Sequence, residues 1–155
     1  MKKVVILAAD NCVLSTIAAP MDMFLQAGVL WNITVGKKPR PEFEVKIVTA
    51  DGQPITALNN VSIAPVCSMH DITEVDLIVL PSQGFFYDVE SDTHKEKVVW
   101  LTEWYEKGVD LAAICAGAFT LASTGLLNGR KATTHWGLAN QFRTLFPEVD
   151  LRTDS

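Results

Sequence analysis

The chain has 155 residues, 48% of them hydrophobic and 20% charged, as expected of one soluble globular domain with a substantial core. Its net charge of −5 argues against a segment that grips nucleic acid unaided, because phosphate binding needs a basic face. Met1-Lys-Lys leads straight into the apolar run Val4–Ala8, too short for a secretory signal or a membrane span, so no membrane partner is expected.

Val4–Ala8 reads as a strand buried on both faces. A loop over 9–14 leads to a helix starting at Ser15-Thr16, with Pro20 early in it. Ile17, Met21, Phe24, Leu25 and Val29 follow at helical spacing. After a loop over 36–41, Phe43–Thr49 forms a second strand, with Phe43, Val45 and Ile47 on one face. Asp51-Gly52 marks a turn, and Val61–Val66 predicts a small side strand. Val75–Leu80 is another buried strand and ends in Pro81-Ser-Gln-Gly84. A helix over Thr93–Lys107 offers Val98, Val99, Leu101, Thr102 and Tyr105 to its inner face, and Gly108 stops it. The strand 109–114 runs into Cys115, and a helix continues through Leu121 and Ala122 to Gly125. Lys131–Thr134 predicts a short strand, Trp136–Phe146 a helix ended by Pro147, and Val149–Leu151 the start of one more strand. No closing helix follows, so the sequence is expected to be a fragment of a longer protein. Strands alternating with helices predict a doubly wound α/β fold, a mostly parallel sheet with helices on both faces.

Ligands in such sheets bind outside the carboxyl ends of the strands. Three segments converge there: Ala9–Thr16, Pro81–Gly84 and Cys115–Gly117. Cys115 follows an apolar strand and precedes Ala116-Gly117, whose small side chains let the backbone bend sharply into a helix. A thiol so placed faces the N–H groups of a helix start, which stabilise a thiolate or bind an anion. The competing reading is a buried cysteine packed as a small hydrophobe. His135 is the best candidate base for a nucleophilic thiol; its alternative is a helix-start histidine bonded to backbone. Pro81–Gly84 can offer N–H groups to an oxyanion or a carboxylate, or simply turn the chain. Asp10 is the only acid of the first loop, and Thr16 stands where its hydroxyl could cap the helix.

The remaining polar residues read as structural or surface. Cys12, Cys67 and Cys115 lie far apart, with no CxxC pair and an odd total, which favours reduced thiols in a cytoplasm. Cys12 and Cys67 lack the context of Cys115 and are expected to be structural or incidental. His70 and His94 lie in polar stretches and read as surface, as do Asp88, Glu90, Lys95, Glu96 and Lys97. No two histidines share a ligand spacing, so neither a metal nor a cofactor is expected. Trp100 and Trp104 are one helical turn apart and are expected to pack rather than to bind a ligand.

Two blocks, Ile114-Cys-Ala-Gly-Ala-Phe-Thr-Leu-Ala122 and Gly125-Leu-Leu-Asn-Gly-Arg-Lys-Ala-Thr-Thr-His-Trp136, closely resemble the ThiJ/PfpI superfamily, which is class I glutamine-amidotransferase-like. Ser15-Thr-Ile-Ala-Ala-Pro-Met-Asp-Met-Phe24 resembles the first helix, and Leu80-Pro-Ser-Gln-Gly84 the middle loop, of the branch fused to AraC-type transcription regulators. The resemblance covers essentially the whole chain. It implies a flavodoxin-like fold, a homodimer, and a helix-turn-helix DNA-binding domain absent from these residues. Two departures matter. Related isonitrile hydratases carry an aspartate where Thr16 aligns, and PfpI proteases carry a histidine where this chain has Ala116. The middle loop also has Ser82-Gln83 where the family favours a second glycine.

The resemblance therefore implies a sensor more than an enzyme. Its small-molecule effector, an amine or amino-acid-like carboxylate, is expected near Cys115, Ala116, Thr16, Ser82, Gln83, Gly84 and His135. DNA would be contacted only through the missing C-terminal domain. The alternative is a cysteine-dependent hydrolase or hydratase, with Cys115 and His135 catalytic and the N–H groups of Gly84 and Ala116 as an oxyanion site. Asp10 would then replace the missing acid. A third reading is a thiol redox sensor, for which no resolving cysteine is evident.

Overall fold

A computed structural model describes residues 1–84 and 89–153, so the surface expectation for Asp88 lies outside the described residues. The first half of the chain contains β1 (Lys2–Leu7), α1 (Ser15–Gln26), α2 (Leu30–Thr34), β2 (Phe43–Thr49), β3 (Ile55–Thr56), β4 (Ser62–Ile63) and β5 (Cys67–Ser68). The second half contains β6 (Leu77–Leu80), α3 (Asp92–Glu106), β7 (Asp110–Ala113), α4 (Gly117–Ser123), β8 (Lys131–Ala132), α5 (Ala139–Leu145) and β9 (Asp150–Leu151).

Five strands form the central sheet in the order β5-β2-β1-β6-β7, and every neighbouring pair is parallel. The apolar first strand lies at the centre, with Val4 beside Val45 on one side and Leu77 on the other. Because side chains alternate across a strand, this one strand feeds two cores. Val4 and Ile6 pack with Val79, Ile17, Met21 and Phe24, which places α1 on one face. Val5 and Leu7 pack with Ile78, Leu80, Trp100 and Leu101, which places α3 on the other. A third cluster joins α4 to α5 through Phe119 and Phe142, whose rings meet edge to face at 5.0 Å. The fold is thus the doubly wound, flavodoxin-like α/β sandwich that the strand–helix alternation predicts.

Four details differ from the sequence expectation. The first helix ends at Gln26, and Val29 belongs to a separate turn of chain before α2. Gly28 breaks the run with φ +73°, and a Cβ there would collide with the Arg40 carbonyl. The side strand expected in 61–66 is shorter than the segment and stands apart from the main sheet. Ser62–Ile63 pairs antiparallel with β3 in a separate ribbon, and Cys67–Ser68 supplies the sheet edge. Strands β8 and β9 pair with each other, apart from the central sheet. Finally, the inner stripe of α3 is His94, Lys97, Trp100 and Leu101, with Val99 57% exposed. His94 and Lys97 are therefore buried, against their surface reading, because tertiary packing sets the helix's rotation. Glu96 and Lys95 do face solvent, and the Trp100 and Trp104 rings pack at 6.1 Å. No helix among the described residues is long and apolar enough to cross a membrane.

Candidate functional site: a strained cysteine turn beside a polar cavity

Strand β7 ends at Ala113, and the Ile114 N–H still donates to the Leu80 carbonyl at 3.0 Å, holding the turn to β6. Cys115 then takes φ +56°, the left-handed region that costs a residue with a Cβ about 1–2 kcal/mol. Gly117 opens α4 and donates to the Ile114 carbonyl at 2.9 Å. No larger residue fits there. A Cβ at 117 would lie 2.9 Å from the Pro81 carbonyl oxygen and closer still to that of Leu80. The outcome is a sharp bend that leaves Cys115 exposed while Ala116 and Gly117 are buried. It is not a buried structural cysteine. The Ala116 N–H donates to no described acceptor.

The other converging segments meet this turn in part. Thr16 does not cap α1, whose N-cap is Leu14 with no side-chain bond. Its hydroxyl donates to the Val13 carbonyl at 2.7 Å and accepts the Ser82 N–H at 3.1 Å. The Ser82 carbonyl in turn accepts from Val13 at 2.8 Å, so the first helix and the middle loop are stitched together. Ser82 is 2% exposed. Gly84 takes φ +65° beside Asn11. Thr134 donates its hydroxyl to the Cys115 carbonyl at 3.2 Å, which docks the 133–135 segment on the turn. His135 is half-buried, and its Nδ1 accepts the Gly137 N–H at 3.1 Å, the backbone-bonded arrangement of a helix-start histidine. Trp136, 81% exposed, stacks on the imidazole at 5.4 Å.

Asp10 is committed elsewhere. Its Oδ1 accepts the Thr56 N–H at 2.8 Å. It also lines a polar cavity of about 410 Å³ between the ends of β1 and β2 and the first turns of α3. Gln83 is the one residue of the expected site on that cavity's wall; His94 and Lys97 line it too, and sequence reasoning missed both. A signal for them existed. Positions 94, 97 and 101 repeat at the spacing of an inward helical stripe. Burial pulls the Lys97 ammonium below the ordinary lysine range, against weaker attraction from Asp10 and Asp51. Burial likewise pushes the Cys12 thiol up, so it stays neutral. Among the described residues no three His, Cys, Asp or Glu side chains group as metal ligands.

The DJ-1/PfpI family model covers residues 2–146. The chain belongs to the DJ-1/PfpI family. Among curated proteins, it is 30% identical over 105 residues to the HTH-type transcriptional regulator CdhR of Pseudomonas aeruginosa, a match covering 68% of this chain and 30% of that protein. It is 25% identical over 105 residues to the isonitrile hydratase of Pseudomonas putida, covering 68% of this chain and 45% of the hydratase. The matched part thus spans less than half the length of either relative. An AraC family transcriptional regulator from Pseudomonas putida superposes with TM-score 0.80 at 17% identity, over 100% of this chain and 78% of that one; the likeness is one of fold. The DJ-1/PfpI domain therefore occurs among transcription regulators and enzymes alike.

Proposed function

We propose that these residues form the ligand-sensing and dimerising domain of an AraC-family transcriptional regulator. A small-molecule effector binds near Cys115, Ala116, Thr16, Ser82, Gln83, Gly84 and His135, and two copies pair. A helix-turn-helix domain following residue 155 in the full-length protein contacts DNA. Effector binding biases the arrangement of the dimer, which requires different affinity for its two states.

The observation that carries this reading is the fate of the groups that could serve Cys115 as an acid. Thr16 has no charge to give, and its hydroxyl is spent on Val13 and Ser82. The Asp10 carboxylate is tied to Thr56. Among the described residues the elbow geometry is present without its acidic partner, which suits a pocket floor better than a nucleophile. The match to CdhR and the net charge of −5 support the same reading.

The test is the coding sequence downstream of residue 155. A helix-turn-helix segment is expected there; a stop codon with no such segment refutes the regulator reading. The exposed Cys115 and the match to isonitrile hydratase favour a second reading, a cysteine-dependent hydratase or hydrolase. Turnover of an isonitrile that Cys115→Ala abolishes would put that reading in its place.

A further inference from the structure

Helix α1 carries a single charged residue, Asp22. Ile17, Met21 and Phe24 turn one face of it into the core. The opposite face, Ser15, Ala18, Ala19, Asp22, Met23 and Gln26, follows the spacing of one helical stripe and is exposed along its whole length. A helix that borders solvent normally carries its charges on that side. Helix α3 does so, exposing Asp92, Lys95, Glu96, Glu103 and Glu106. On α1 the same position in the fold offers two alanines and Met23, which is 74% exposed. Beside the first turn of α1 lies a groove of about 520 Å³ whose described apolar walls are Val13, Leu14, Ala18 and Leu58. That first turn holds neither a side-chain cap nor an acid, so nothing within α1 offsets the positive end of its dipole.

We propose that this face is where two copies of the chain meet, α1 packing antiparallel on the partner's α1 about a twofold axis between Ala18 and Ala19. In that register Ala18 meets the partner's Ala19, and the small side chains let the helix axes approach to about 8 Å. Leu14 meets the partner's Met23, an unbranched side chain that enters the groove against Leu14, Ala18 and Leu58. Ser15 meets the partner's Asp22, which brings a carboxylate to the uncapped positive end of α1. Each contact forms twice. The face is complementary to itself in shape and in charge, as a twofold interface has to be, whereas a strongly charged partner would find one carboxylate to answer it. Thr16, on the same helix, accepts the Ser82 N–H, so a ligand at the middle loop acts on the element that pairs. The inference gives the dimerising reading its interface, and rests on that reading for its regulatory consequence.

Sedimentation equilibrium of the chain at micromolar concentrations tests it, with circular dichroism to show that each variant folds. The wild-type chain should dimerise. Ala19→Arg should weaken the dimer by about a hundredfold or more, because two like charges would meet on the axis. Met23→Ser should weaken it by about tenfold through lost apolar burial, and Asp22→Lys should weaken it by setting a cation on the positive helix end. Val99→Arg, on the exposed side of α3, should leave it unchanged. A cross-link reads the register directly. In a Cys115→Ala background oxidised with copper phenanthroline, Ala19→Cys should join two copies, whereas Thr144→Cys, exposed on α5, should not. Undiminished dimerisation of Ala19→Arg and Met23→Ser, equal cross-linking at the two positions, or loss of the dimer on Val99→Arg alone would each overturn the α1 interface while the dimerising reading stands. A wild-type chain that stays monomeric at every concentration would overturn both.

Discussion

Replacing Gly117 with alanine separates helix propensity from close packing, because the two predict opposite signs. Position 117 opens α4, where alanine is favoured over glycine by about 1 kcal/mol in a helix interior. Against this, the added Cβ would meet the carbonyl oxygens of Leu80 and Pro81 inside 3.0 Å, a distance real Cβ atoms essentially never show. Both obstacles are backbone. The Leu80 carbonyl is also fixed by the Ile114 N–H at 3.0 Å, so it cannot swing away without loosening the β6–β7 end. The start of α4 must instead slide off the sheet, disturbing Ala118 and Phe119, which are 4% and 1% exposed. Overpacking of this kind costs about 1–3 kcal/mol, and the loosened crossover adds about another 1 kcal/mol. Net of the propensity gain, Gly117→Ala should destabilise by about 2 kcal/mol. In a chain of this size that lowers Tm by about 4–8 °C. Urea unfolding followed by far-UV circular dichroism, with thermal melts alongside, measures it. Unchanged or increased stability would show that the close approach of turn and strand is not what holds the cysteine bend.

The strain at Cys115 makes a second prediction. Cys115→Gly should relieve about 1–2 kcal/mol of left-handed strain and forfeit about 0.4–1 kcal/mol to the freer unfolded chain, a net gain of about 0.5–1 kcal/mol. Cys115→Ala keeps the Cβ and should gain nothing, so equal urea midpoints for the two variants would refute the strain. Buried Lys97 makes a third. Its pKa is lower in the folded chain than in the unfolded one, so between those values the unfolded chain binds more protons and stability rises with pH. The penalty is therefore complete below the folded value and fades as pH climbs toward the ordinary lysine range. Lys97→Met, which removes the desolvated ammonium, should be more stable than the parent chain at pH 7. Its advantage should shrink in alkaline urea titrations; a pH-independent difference would count against the buried charge.

The strands were legible because a buried parallel strand writes itself as an unbroken apolar run. Val4–Ala8 and Val75–Leu80 are of this kind, and the ends of β1 and β6 lie within two residues of theirs. The cysteine turn was legible for a different reason. Ala116 and Gly117 are small because carbonyls lie against them, and small residues after a strand announce such a bend. What could not be read was which polar residues go inside. His94 and Lys97 look like surface in a charged stretch, and only the packing of α3 across Val5, Leu7 and Ile78 turns them inward. The partners of the short strands were equally hidden. Two-residue strands such as β8 and β9 carry too little pattern to say whether they join the main sheet or each other. Thr16 was found as a position, but its role as a bridge to Ser82 depends on a contact 66 residues away in sequence.

The central place of β1 has a consequence for how the chain comes off the ribosome. Its left-hand neighbour β2 is made soon after it, but the right-hand edge at Val4–Ile6 pairs with Leu77–Val79. At ribosomal rates of about 5–20 residues per second, that edge waits about 4–15 s for its partner. Throughout that interval a row of apolar residues and open backbone groups is offered to any other strand in reach. Chaperone dependence and aggregation during synthesis should accordingly track the interval between these two strands, so that slow codons between residues 50 and 76 would lower the yield of folded protein without altering one residue of it.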